Sequence, residues 1–289
     1  MNRSTRVIRG LGDIADRHDA YILDLWGCLH DGVAIYPAAL DALHRLESTG
    51  KRVVILSNAP RRAREVAARI ADMGIAPALY DRLYTSGEEA WRALAQDGIG
   101  GLRRGRKRLY PIMADRDQAV LEGIDVTIVD DPAEADFILA TGTETGTEEL
   151  ATFDALLSPA AARGVPMVCA NPDLVVHRGG IEEICAGSIA QRYEALGGKV
   201  IWFGKPYPAI YRRILAECGL APDRLLCVGD ALRTDVAGGA AIGAATLFIA
   251  GGIHHAELLV ENEMDLARLE ALCRNRGTTP DFAIAHLGW

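Results

Sequence analysis

Four apolar runs of strand length, each broken off by a polar or turn-forming residue and separated by helical patterns, constrain this chain most. They are Tyr21-Ile22-Leu23 before Asp24, Arg52-Val53-Val54-Ile55-Leu56 before Ser57-Asn58-Ala59-Pro60, Leu225-Leu226-Cys227-Val228 before Gly229-Asp230, and Thr246-Leu247-Phe248-Ile249. A continuous apolar run too short to be a helix is the mark of a strand buried on both faces. Helical patterns at 38–49, opened by Pro37 and closed by Gly50, and at 61–72, 88–96, 187–196 and 207–218 alternate with these runs. Strand and helix in alternation give a doubly wound parallel sheet, an α/β fold. Ahead of the first strand, Val7, Ile8, Leu11 and Ile14 have helical spacing and predict an amphipathic helix over 7–17.

The pattern is interrupted by the Gly-rich and basic stretch 98–108, after which strands are expected at 109–113, 126–129, 136–140 and 166–170, with helices at 115–122 and 147–162. This is a second α/β unit. The expected organisation is a core of residues 1–86 and 177–289 carrying an inserted cap over 87–176, with strand 199–203 in the core. The run Arg103-Arg104-Gly105-Arg106-Lys107-Arg108 reads as a solvated loop. A formal net charge of −8 argues against general nucleic-acid binding, which needs clustered Lys and Arg. No apolar run is long enough to span a bilayer, and no leader pattern opens the chain. Cysteines 28, 169, 185, 218, 227 and 273 form no C-x-x-C pair and lie mostly in apolar runs, as in a reduced, cytoplasmic protein. His254-His255 are adjacent and so cannot share a helix face as zinc ligands. Thr141-Gly142-Thr143-Glu144-Thr145-Gly146 reads as a loop after a cap strand.

In a parallel sheet the strand C-termini share one edge, where ligands bind. Asp24, Ser57-Asn58, Gly204-Lys205-Pro206 and Gly229-Asp230-Ala231-Leu232-Arg233-Thr234-Asp235 all fall at strand ends or helix starts. Each alone is ordinary: a turn, a helix entry, an N-cap or a surface carboxylate. Together they put a carboxylate, a hydroxyl, an ammonium and two further carboxylates in one crevice. That set suits transfer of a phosphoryl group to Asp24 as a carboxylate nucleophile. Asp24 and Asp230 can hold Mg²⁺, Ser57 and neighbouring amides can donate to phosphoryl oxygens, and Lys205 can offset their charge. Asp235 is expected to orient the metal site from behind.

The four segments, in this order and with an insertion between the second and third, resemble the haloacid dehalogenase superfamily of aspartate-nucleophile phosphohydrolases. Cys169-Ala170-Asn171-Pro172-Asp173 and Phe203-Gly204-Lys205-Pro206-Tyr207-Pro208 narrow the resemblance to the NagD-like branch with a class IIA cap. It covers about residues 20–255. The resemblance implies Asp24 as nucleophile and metal ligand, the Trp26 backbone carbonyl and Asp230 as further metal ligands, and Ser57, Asn58 and Lys205 as phosphate binders. Asn171 and Asp173 would face the site from the cap. A small phosphorylated metabolite, such as a sugar or cofactor phosphate, and a possible homodimer are the implied partners.

One position departs from the family pattern. Related phosphatases carry an acid/base Asp two residues after the nucleophile, where this chain has Trp26. Losing a positioned acid/base costs about 10²- to 10⁴-fold in rate. His30 and Asp31 are candidates to replace it, although both also read as loop residues. Trp26 leaves two alternatives beside the phosphatase: a weakly active or inactive phosphoester-binding protein, and a dehalogenase, which needs no acid for its leaving group. Cys28, close to the nucleophile, has no evident base beside it.

Overall fold

A computed structural model describes residues 4–97, 107–178 and 181–289. Residues 103–106 of the basic run, and most of the expected boundary at 98–108, lie outside that range. The chain divides into two compact units, one of Met1–Ser57, Ala67–Tyr84 and Lys205–Trp289, the other of Asn58–Val66 and Thr85–Gly204.

The first unit is built on a seven-stranded sheet in the spatial order Arg6–Val7, Phe282–Ile284, Ala245–Ile249, Leu225–Gly229, Ala20–Leu23, Arg52–Ser57, Arg82–Thr85. Ala20–Leu23 is central and runs parallel to both neighbours, with Leu23 level with Val228 on one side and Ile55 on the other. Successive strands go outward from it to Arg52–Ser57 and Arg82–Thr85. The chain then returns to its other flank through Leu225–Gly229. Strand order therefore reverses at the end of Ala20–Leu23, which is where an open α/β sheet has its crevice. Ala20–Leu23 and Leu225–Gly229 are buried at every position, because layers cover both faces, and this is why they read as unbroken apolar runs. Helix Pro37–Ser48 buries Ala39, Ala42, Leu43 and Leu46, a single stripe at helical spacing.

The expected helix over 7–17 is absent. Arg6–Val7 is instead an edge strand parallel to Phe282–Ile284, followed by two short 3₁₀ turns at Leu11–Asp13 and Ala15–Arg17. Gly10 and Gly12 weaken a helix here, and the backbone is committed elsewhere: Ile8 N donates to Ala283 O and Leu11 N to Gly288 O. A methyl group on Gly10 would fall 2.2 Å from the Trp289 carbonyl carbon. The helical spacing of Leu11 and Ile14 reflects their burial, not a helix.

The second unit holds a five-stranded parallel sheet in the order Lys199–Trp202, Pro166–Cys169, Phe137–Ala140, Lys107–Ile112, Val126–Ile128. A hairpin of Val175–Arg178 and Ile181–Ile184 accompanies it. The unit runs to Gly204, where the sequence reading returns to the core at 177. Strand Lys199–Trp202 pairs with Pro166–Cys169, Val200 level with Met167. Helix Ala186–Ala195 buries Ile189, Ala190 and Tyr193 against Ile138 and Met167, and Tyr193 Oη donates to Val165 O at 2.6 Å. A strand–helix repeat looks the same whichever sheet receives it, so its allegiance comes from these contacts. The segment expected as a helix at 115–122 is a 3₁₀ run, Asp115–Leu121. Among the described residues no helix is long and apolar enough to cross a membrane.

His18 sits edge-on to Tyr21 and Phe282 with both ring nitrogens buried and unbonded. Burial, then Arg224, Arg17 and Lys51, hold its pKa below the usual value. The unfolded chain therefore takes up a proton near pH 6.5 that the folded chain refuses. Stability contributed by neutral His18 is complete above that pH and declines as pH falls below it. Urea denaturation at pH 7.5 and 5.5 should show this loss, and His18→Phe should reduce it.

Candidate active site

Asp24 follows the last residue of the central strand, and its backbone N still donates to Val228 O at 2.9 Å, so the strand's pairing extends to the site itself. The chain then turns tightly: Leu29 N donates to Leu25 O, and Gly27 N to His30 O. Gly27 has φ of +74°, and a methyl group there would lie 2.0 Å from Asp230 Oδ2. Only glycine meets both demands. Gly252 presses on the same carboxylate from another side, at 2.1 Å from Oδ2 for its added methyl, and Ile253 N donates to that oxygen at 2.7 Å. Asp230 is thus gripped between two glycines and an amide. It does not cap the following helical turn, Leu232–Val236, whose N-cap position is Ala231.

Lys205 is the centre of the arrangement. Its Nζ lies 2.7 Å from Asp24 Oδ1 and 2.7 Å from Asp235 Oδ1, and all three side chains are buried. Asp24 Oδ1 also accepts from Leu25 N at 2.7 Å, and Asp235 Oδ2 from Thr234 Oγ1 at 3.1 Å. Asp235 is therefore no surface carboxylate, and a methyl group on Gly229 would fall 2.0 Å from its Cγ. Ser57 closes strand Arg52–Ser57 on the same edge of the sheet and is buried.

Charge is unbalanced in this pocket. Burial pushes the Asp24 carboxyl well above the usual carboxylate range; Lys205 opposes the rise, and Asp235 and Asp230 add to it. Burial and two neighbouring carboxylates thus favour added positive charge beside Asp24. Asp24, Cys28 and Asp230 offer ligand atoms all within 4.8 Å of one another, the one metal-suited group among the described residues. The Cys28 thiol is pushed up by burial and then by the carboxylates, so it stays protonated. The remaining donors are carboxylate oxygens, which fit a hard divalent cation. His254 pairs with Glu257 and takes no part in that group.

The loop after Asp24 is built around Trp26. Its half-buried indole lies against Gly32, where a methyl group would fall 2.2 Å from the ring, and it meets the His30 ring edge-on at 5.3 Å between centroids. His30 is buried, and its Nδ1 accepts from Gly32 N at 2.9 Å. Burial, then Arg69, lower its pKa to about 4, so it is neutral at physiological pH. Asp31 Oδ1 accepts from Val33 N and Ala34 N, both at 2.8 Å, in a local turn. Both expected stand-ins for the missing Asp are thus engaged in holding the loop.

Asn58, Asn171 and Asp173 come together within the second unit. Asn58 Nδ2 donates to Asp173 Oδ1 at 2.8 Å, and Asn171 Oδ1 accepts from Asp173 N at 3.1 Å. Ser86 Oγ bonds the carbonyls of Asn58 and Ala170, fixing the backbone on which this set stands. In the loop after strand Phe137–Ala140, Thr143 and Thr145 both donate to Glu148. Sequence reasoning did not single out Gly252 and Ile253. The signal was the pair Gly251-Gly252 directly after the apolar run ending at Ala250.

A sequence model described as haloacid dehalogenase-like hydrolase matches residues 21–127, and a related one, HAD-hydrolase-like, matches 202–269. A solved hydrolase of the haloacid dehalogenase-like family from Brucella suis 1330 is 32% identical, with a TM-score of 0.81 over 97% of this chain and 100% of that one. Chronophin of Mus musculus is 28% identical over 253 residues, 86% of each chain. Ribonucleotide monophosphatase NagD of Escherichia coli K12 is 28% identical over 234 residues, 80% of this chain and 87% of that protein. This chain belongs to the haloacid dehalogenase-like hydrolase family, in its NagD-like branch, and the second sheet corresponds to the branch's cap.

The grip on Asp230 is testable without knowing the substrate. Gly252→Ala should cost about 1–3 kcal/mol of stability in urea denaturation, the usual penalty for overpacking a tight site. Unchanged stability would mean that the carboxylate is free to move.

Proposed function

We propose that this chain is a Mg²⁺-dependent phosphohydrolase that acts on a small phosphorylated metabolite through an aspartyl-phosphate on Asp24. The observation that carries the reading is the buried Lys205 ammonium, 2.7 Å from both Asp24 and Asp235, with Asp230 directly after strand Leu225–Gly229 beside the strand that leads to Asp24. A structural ion pair would need one carboxylate; here two share one ammonium and a third, Asp230, lies close to Asp24, an arrangement suited to receiving an anionic phosphoryl group together with a cation. Membership of a hydrolase family, and a relative named as a monophosphatase, agree with it.

Asp24, Asp230 and the Trp26 backbone carbonyl would hold Mg²⁺. When bound, the ion supplies charge neutralisation for attack by a carboxylate on an anionic phosphoryl group. An Asp24 carboxylate oxygen attacks phosphorus. Lys205 orients that carboxylate and offsets the charge of the phosphoryl oxygens, and the Ser57 hydroxyl and nearby amides donate to them. Asp235 acts through Lys205, holding the ammonium that also pairs with Asp24. Water then releases phosphate and restores the carboxylate. Asn58, Asn171 and Asp173 are proposed to select the substrate, a role supported by their mutual bonding and by the branch's motif at that position. Six buried, free cysteines support a reducing, cytoplasmic setting.

A second reading is favoured by Trp26, which supplies no acid: a protein that binds a phosphoester and turns it over weakly or not at all. A screen of phosphorylated metabolites with Mg²⁺ separates the two. The wild type should release phosphate from at least one compound, chelation with EDTA should stop the release, and Asp24→Asn should reduce it below detection. Full Mg²⁺-dependent activity in Asp24→Asn would contradict the mechanism; tight binding without release would favour the second reading.

A further inference from the structure

Breaking a phosphorus–oxygen bond to an alcohol leaves an alkoxide, a base comparable to hydroxide, whose conjugate acid, water, has a pKa of roughly 16. Such a group departs quickly only if it is handed a proton. A carboxylate or phenolate, with conjugate-acid pKa values of roughly 4 and 10, departs far more readily without one. By the resemblance described above, a proton donor would stand two residues after the nucleophile, in the loop that follows Asp24. Here that loop is closed on itself. The Trp26 indole is packed on Gly32 and His30, Arg69 Nη2 donates to Gly32 O at 2.9 Å, and the His30 Nδ1 lone pair is taken by Gly32 N. Asp31 accepts from two backbone amides of the same loop. Lys205, 2.7 Å from Asp24, directs its ammonium at two carboxylates. Trp26 is thus a packed member of this loop, and its side chain offers no acid.

We infer that the site is specialised for phosphates whose leaving group departs as a weak base, namely acyl phosphates, phosphoanhydrides and aryl or enol esters, in preference to alkyl esters. The inference rests on the phosphohydrolase reading above and narrows its substrate class. The chemistry closes without an enzyme acid. An Asp24 oxygen bonds to phosphorus while the bond to the leaving oxygen breaks, and that oxygen departs with the electron pair as carboxylate, phosphate or phenolate. The aspartyl-phosphate so formed is itself an acyl phosphate. Water attacks its phosphorus, the bond to Asp24 breaks with the electron pair returning to the carboxylate, and both hydrogens of the water leave with the product as H₂PO₄⁻.

The test is the dependence of kcat/KM on leaving-group basicity in the wild-type protein with Mg²⁺. Para-substituted phenyl phosphates, from nitro through chloro to methoxy, vary basicity at nearly constant shape; acetyl phosphate and glycerol 3-phosphate extend the range. The expected result is a steady fall across the phenyl series, and at least about a 10²-fold gap between acetyl phosphate and glycerol 3-phosphate, the size of a missing acid. In folded Trp26→Asp the slope should flatten, with glycerol 3-phosphate gaining most. A flat phenyl series with glycerol 3-phosphate within about tenfold of acetyl phosphate would show that another group protonates the leaving oxygen, and would overturn the inference while leaving the phosphohydrolase reading intact. A steep slope unchanged by Trp26→Asp would also overturn the assignment to this loop. No phosphate release from any of these compounds would overturn both readings together.

Discussion

The double contact of Lys205 with Asp24 and Asp235 is the interaction on which the rest of the site depends. Three carboxylates gathered in one buried place repel one another and lose hydration, and a single ammonium cannot balance them all. The protein meets part of this cost with a dense frame: amides of Leu25 and Ile253, the Thr234 hydroxyl, and glycines 27, 229 and 252, which leave room for carboxylates and for nothing larger. The remainder is a standing preference for a cation and for an anion that brings the cation into use. Stability and function pull in opposite directions at this point, as is common where charge is held ready for chemistry.

Topology explains why such a cluster can be assembled from residues far apart in sequence. Ser57 ends one of three neighbouring parallel strands and Asp24 and Asp230 directly follow the other two, and the reversal of strand order at Ala20–Leu23 opens the sheet edge there. The sheet positions backbone; the glycines and Lys205 position side chains. The loop Leu25–Ala34 is closely packed around Trp26, whose indole lies against Gly32 and His30.

Much of this is legible in the chain itself. Runs such as Val53–Leu56 read as strands buried on both faces, and the polar residue after a run marks the reactive edge, so Asp24, Ser57 and Asp230 stand out in the sequence, whereas Lys205 follows a strand of the second sheet and Asp235 lies within the turn Leu232–Val236. What the chain conceals is decided by contacts between distant segments. Residues 7–17 have helical spacing, yet the edge of the sheet claims their backbone through Ala283 and Gly288. Strand Lys199–Trp202 joins the second sheet because its partner is Pro166–Cys169, a choice that alternation of strand and helix does not encode. His30 and Asp31 read as loop residues that could also serve Asp24, and only the geometry reveals that His30 Nδ1 accepts from Gly32 N and Asp31 Oδ1 from Val33 N and Ala34 N. The strand Phe282–Ile284 is too short for a sequence pattern to stand out, although it carries the outer edge of the core sheet.

The central claim is that Asp24 receives the phosphoryl group. Its most direct test is to quench the wild-type protein in acid during incubation with acetyl phosphate and Mg²⁺, then map the modified peptide by mass spectrometry. The account predicts a phosphoryl group on Asp24, sensitive to hydroxylamine as an acyl phosphate must be. Steady phosphate release with Asp24 unmodified under conditions that preserve acyl phosphates, or a phosphoryl group on any other residue, would contradict it.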